Sequence, residues 1–146
     1  MASQSQLKTL IELAQRETDD AAKRLGAALQ AVAEAEQKHQ MLLGYRDEYV
    51  KRFEAAQAAG ITPMAYRNFQ AFMGKLDNAI TGQQEVIRHA EQRSAQEKQT
   101  WQASERKRMS YATLNERAAA AALKLEAKRD QKQMDEHAAR QAYYKR

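Results

Sequence analysis

Cysteine is absent from this 146-residue chain, proline occurs once and glycine five times. Without cysteine there are no disulfides, no thiolate nucleophile and no cysteine-ligated metal. With so few helix breakers, long stretches are free to run as helix. Aromatic residues make up only 7% of the chain, including one tryptophan and three phenylalanines. That is too little for a large globular core, and much of the 43% hydrophobic share is alanine. No run of 18 apolar residues occurs, so no membrane-spanning helix is expected. The start, "MASQSQLKTL", is polar, and no secretory signal is expected there. The length fits one domain, and a soluble, intracellular chain is expected.

Catalytic motifs are missing as well. There is no G-x-x-x-x-G-K phosphate loop, and no G-x-G-x-x-G following a strand. His39, His89 and His137 lie far apart in sequence, and none belongs to an H-E-x-x-H pair. In "MDEHAAR", Asp135, Glu136 and His137 would point in diverging directions on a helix. No spacing assembles a nucleophile with a base, and a helical hairpin encloses no pocket. The expectation is a non-enzyme with no metal site and no cofactor.

What the chain does have is charge and helix-forming residues. Charged residues make up 29% and mean hydropathy is −0.85. A heptad reading fits the first half. One seam row holds Leu7, Ala14, Ala21, Ala28, Ala35, Leu42, Tyr49 and Ala56. The other holds Ile11, Thr18, Leu25, Val32, His39, Arg46 and Phe53. Alanine lets a partner helix come close but buries little area per turn. Stability must then come from length, and at 1.5 Å per residue this segment makes a helix of roughly 80 Å.

The pattern breaks at "AAGITPMAY". Gly60 suits a left-handed cap, Thr62 can cap the next helix and Pro63 fits its first turn. Apolar positions return at Tyr66, Phe69, Phe72, Met73, Leu76, Ile80, Ile87, Ala90, Trp101, Tyr111, Ala118, Ala122 and Leu125. Gln83, Ser94, Glu97, Ser104 and Arg108 interrupt them. The reading is all-α: a long antiparallel two-helix coiled coil with a short helical tip. Arm one covers about 4–58, turn and tip about 59–72, and arm two about 73–143, in one domain. A reversal near residue 66 places Ser5 opposite roughly Ala127 and leaves an overhang of about twenty residues, basic on balance, at the carboxyl end.

Charge is unevenly spread. Residues 1–101 hold 13 Lys/Arg and 13 Asp/Glu, whereas residues 102–146 hold 11 against 6. The whole surplus of +5 therefore lies in the last third. It admits three readings: a solvated face, a nucleic-acid contact, or docking to an acidic protein surface. Interspersed Glu and Asp and the small net charge weigh against nucleic acid.

The stretch "LLGYRDEYVKRF" carries Leu42, Tyr45 and Tyr49 beside solvated charges. The second arm offers Phe72, Leu76 and Ala79 near the turn. One reading closes the hairpin tip with these groups. Another leaves some of them on an adjacent, wet stripe as a protein-docking patch, and both can hold at once.

In order, "ETDDAAKRLG", "LLGYRDEY", "GIT", "YRNFQAFMGKLDNAI", the lone Trp101 and "DQKQMDEHAAR" resemble the flagellar export protein FliJ family over nearly the full length. The resemblance implies a cytoplasmic, non-enzymatic component of the bacterial flagellar type III export apparatus, peripheral to the inner membrane and not inserted in it. It implies an antiparallel coiled coil similar to the central stalk subunit of rotary ATPases. The implied partners are the export ATPase FliI, whose ring it helps assemble and work, the export gate protein FlhA, and export chaperones. By position, the gate-binding patch falls on Leu42, Tyr45, Tyr49, Phe72, Leu76 and Ala79, with Lys38 and Gln83 as neighbouring polar groups. The basic end, with Lys124, Lys128, Arg129 and Lys132, is expected to meet the ATPase ring. A general coiled-coil scaffold or chaperone escort without ATPase effect stays open, as does a basic nucleic-acid-binding helical protein.

Overall fold

The computed structural model describes residues 4–145. They form two helices, α1 (Gln4–Ala59) and α2 (Pro63–Tyr144), with no strand among the described residues. The reversal takes three residues and has an identifiable chemistry. Gly60 adopts a φ of 89° and its N–H donates to the Gln57 carbonyl at 3.2 Å. Only glycine takes that left-handed conformation without strain, so α1 stops there. The Thr62 hydroxyl then accepts from the Ala65 N–H at 3.1 Å, capping α2. Pro63 fills the first helical position, where no backbone donor is needed.

The chain divides into two compact units. One spans Asp20–Trp101; the other joins the residues up to Asp19 with those from Gln102 onward. In the first, the two helices pack as an antiparallel hairpin. Ala21, Ala28 and Ala35 of α1 are buried, and Leu25, Val32, His39, Leu42, Arg46, Tyr49, Phe53 and Ala56 are half-buried. Opposite them, Leu76, Ile80 and Gln83 are buried, with Phe69, Met73, Ile87, Ala90, Ser94, Glu97 and Trp101 half-buried. Both rows advance in alternating steps of four and three, the average of 3.5 that keeps a coiled-coil seam facing its partner.

Polar residues sit in this seam rather than breaking it. Gln83 donates its side-chain amide to the Ala35 carbonyl at 2.9 Å, a buried bond between the helices. Arg46 pairs with Asp77 at 2.8 Å, and Arg24 approaches Glu97 at 3.5 Å. As residue number rises along α1 it falls along α2, which marks the antiparallel register. His39 is the exception: its Nε2 is shielded from solvent and has no hydrogen-bond partner among the described residues.

The second unit repeats the theme with fewer groups. Leu7, Ala14 and Thr18 are buried and Ile11 is half-buried. Thr18 satisfies its hydroxyl within α1, donating to the Ala14 carbonyl at 2.9 Å. From α2 come the half-buried Ser104, Glu105, Arg108, Tyr111, Ala112 and Ala118. Glu17 and Lys107 approach to 3.6 Å between the helices.

The helical tip over 63–72 forms the first turns of α2, which runs unbroken through Gly74 and Gly82. Gly60, Thr62 and Pro63 make the turn that precedes it. Every described residue from Ala119 to Lys145 is exposed, Ala122 and Leu125 included. The unpartnered tail thus begins about ten residues earlier than expected, because the chain reverses at 60–62 rather than near 66.

Candidate docking surfaces

The first candidate surface grows from aromatic packing beside the turn. The Tyr49 ring lies 4.3 Å from that of Phe72 and 5.0 Å from that of Phe69. Phe53 meets Phe69 at 5.1 Å and Tyr66 at 5.8 Å. These are tilted and edge-on contacts, the orientations that ring pairs favour over face-to-face stacking. They tie one turn of α1, from Tyr49 to Phe53, to the start of α2 and hold the neighbouring side chains at fixed positions.

The eight residues expected to form the patch separate into three kinds. Leu76 and Gln83 are core: both are buried, and Gln83 spends its amide on Ala35. Leu42 and Tyr49 are half-buried in the seam. Lys38, Tyr45, Phe72 and Ala79 are exposed, with Tyr45 and Phe72 keeping 53% and 46% of their surface. Two large aromatic side chains half out of water, braced by a packed ring cluster, form an apolar surface that favours protein contact.

These exposed residues belong to two parallel stripes. Tyr45 and Lys38 recur at intervals of seven with Ala31 and Arg24 on α1, the same side of a seam-facing helix. Phe72 and Ala79 recur likewise with Val86 and Arg93 on α2. The stripes share a flank, since Arg24, Ala31 and Arg93 line one common groove. Val86, Arg24 and Arg93 had not been singled out in the sequence; the seven-residue recurrence from Tyr45 and Phe72 was the signal that could have found them.

Asp77 lies on the opposite side of α2 from this flank, lining a separate groove with Tyr66, Gln70 and Met73. Its hydrogen bond, and secondarily its charge, raise the Arg46 pKa. The second ionic site is Glu105 with Arg108, one turn apart on α2, where the Arg108 Nε donates to Glu105 at 3.1 Å. That hydrogen bond holds the Glu105 carboxyl below its usual value and the Arg108 guanidinium above its own. A seam arginine is thereby neutralised within its own helix.

The second candidate surface is the exposed end of α2. Lys124, Lys128 and Lys132 recur every four residues along one face, with Arg129 beside them. None of the four makes an ion pair with a described residue. Leu123, Leu125 and Met134 are exposed among them, and Tyr143 and Tyr144 keep 74% and 81% of their surface. Glu126 and Asp130 interleave with the lysines, so the face is amphipathic and mixed in charge rather than a continuous basic track.

No group of three or more His, Asp or Glu among the described residues could hold a metal, and no described helix is long and apolar enough to cross a membrane. Residues 3–146 match the family described as "Flagellar FliJ protein". The chain belongs to the flagellar FliJ protein family. Its similarity to individual members spans the whole chain. It is 35% identical over 145 residues to the flagellar FliJ protein of Escherichia coli (strain K12), covering 99% of each chain. It is 34% identical over 145 residues to that of Salmonella typhi, again covering 99% of each. As a FliJ family member the chain is a non-catalytic flagellar export component.

Proposed function

We propose that this chain couples the export ATPase ring to the export gate by holding a different partner at each surface. The exposed flank around Tyr45 and Phe72 docks the export gate protein FlhA. Leu42, Tyr49 and Leu76 brace that flank from the seam, Ala79 and Lys38 complete it, and Gln83 acts on it only through the hairpin register. The solvent-exposed end of α2, through Lys124, Lys128, Arg129 and Lys132, docks the ring of the export ATPase FliI and promotes its assembly and activity. Empty export chaperones bind as further partners of the same component, at the cytoplasmic face of the membrane.

The observation that carries this reading is the contrast between the two surfaces. One is aromatic and fixed by packed rings; the other is a basic, amphipathic helix with nothing packed against it. An unpartnered helix of that length is marginal in water and gains order by docking. ATP hydrolysis by the purified export ATPase, with and without excess chain, tests the ring half. Stimulation together with ring formation supports it. No change, with helicity intact, leaves the chain as a scaffold or chaperone escort.

A further inference from the structure

Between the two helices of the Asp20–Trp101 unit, a shallow trough of about 240 Å³ opens on the same flank as Tyr45 and Phe72. Ala27, Ala28, Ala31 and Ala90 line it, and Arg24 and Arg93 stand beside it. The trough exists because the stripes that carry Tyr45 and Phe72 nearer the turn carry Ala31 and Arg93 here. Ala28 is buried in the seam, whereas Ala27 and Ala31 are exposed, so the apolar lining faces water.

The charges around it are only partly spent. Arg24 has one ionic partner, Glu97, at 3.5 Å, and its side chain is still 54% exposed. Arg93 is exposed and has no ion pair with a described residue. An apolar lining the size of one or two side chains, beside an unpaired guanidinium and a loosely held one, is complementary to a particular ligand. That ligand is an amphipathic segment presenting a large apolar side chain with a carboxylate beside it.

We propose that this alanine trough is a second docking subsite, and that it takes an acidic amphipathic helix of the same protein that covers Tyr45 and Phe72. The inference rests on the reading of that aromatic flank as the gate-docking face. Continuity joins the two: Tyr45, Lys38, Ala31 and Arg24 form one stripe and Phe72, Ala79, Val86 and Arg93 the other, with the half-exposed Val86 between patch and trough. A partner lying along the flank from Phe72 reaches Arg93 after 21 residues of α2, about 30 Å at 1.5 Å per residue. The aromatic end supplies apolar area, and the arginine end supplies direction and register.

The test measures affinity of the full chain for the soluble portion of the export-gate protein at two salt concentrations. The variants are Arg93→Glu, Ala31→Trp and, as the reference for the aromatic flank, Tyr45→Ala with Phe72→Ala. Arg93 and Ala31 are exposed helical positions, so far-UV helicity and Tm should match the parent. The proposal expects Arg93→Glu to weaken binding by about tenfold and to flatten its salt dependence, as loss of a charged contact does. Ala31→Trp, which fills the trough, weakens binding at both salt concentrations. If the aromatic variants weaken binding while Arg93→Glu and Ala31→Trp do not, the subsite is wrong and the docking face stands. If the trough variants alone weaken binding, the subsite stands without the aromatic face. Binding unaffected by all of them overturns both. Concentration-dependent dimerisation of the parent chain abolished by Arg93→Glu would show that a second copy fills the trough, and would also overturn the proposal.

Discussion

Tyr49 and Tyr45 lie four residues apart and do different work. Tyr49 packs against two phenylalanine rings, while Tyr45 stays half in water. Truncating Tyr49 removes ring contacts from a partly wet cluster, so Tyr49→Ala should lower stability by about 2 kcal/mol. Tyr45→Ala should leave stability within about 0.5 kcal/mol of the parent, as surface substitutions do, and act instead on gate affinity. Thermal melts of the two variants separate these outcomes. The Glu105–Arg108 pair makes a pH prediction at the same scale. Glu105 ordinarily titrates near 4.5 and is held lower in the folded chain. Its contribution is therefore fully present above that ordinary value and is lost as pH falls through the lowered one. The stability gap between parent and Glu105→Gln should be constant near neutrality and close in acid, as urea titrations at several pH values would report.

At the scale of the helices, the seam of α1 could be read from sequence nearly in full, because leucine, alanine and aromatic residues recur at heptad spacing. All fifteen of its expected positions, from Leu7 to Phe53 and Ala56, are buried or half-buried. The turn was equally legible, since Gly60, Thr62 and Pro63 each favour one backbone state. The seam of α2 was harder to see. Gln83, Ser94, Glu97, Ser104 and Arg108 read as interruptions, yet each is at least half-buried in register. Their polar groups find partners that a hydrophobic pattern does not encode, such as Ala35 for Gln83 and Glu105 for Arg108. Gln83→Leu should thus be neutral or stabilising, because the Ala35 carbonyl keeps its own helical bond when the amide is removed. Gly82 is a different case: a Cβ there meets nothing within 4 Å. Gly82→Ala should stabilise by about 1 kcal/mol through helix propensity alone, whereas Gly60→Ala should destabilise at its φ of 89°. Chemical denaturation of the three variants checks the order.

For the whole molecule, composition pointed to an all-helical chain, and the order of its segments resembled the family that the full-length match shows. The division of the expected patch was not legible. Sequence spacing places Tyr45, Leu76 and Gln83 near one another but cannot say that Leu76 and Gln83 are buried while Tyr45 is wet, since that depends on which side of each helix the partner covers. Nor could the extent of the free tail be read, because it is set by where the chain turns. Removing the residues after Ala118 should leave the Asp20–Trp101 unit folded, since none of the removed residues belongs to it. Circular dichroism should then show helicity lost only in proportion to length, with gate binding retained and ring binding abolished.

The division of labour between the two surfaces is tested most directly by one paired affinity measurement. A chain with Lys124, Lys128, Arg129 and Lys132 all changed to glutamate would be titrated against the export ATPase and against the gate protein. The account predicts loss of ATPase binding by at least about tenfold, as for removal of several charged contacts, with gate affinity unchanged. Equal weakening of both, or of neither, would contradict it.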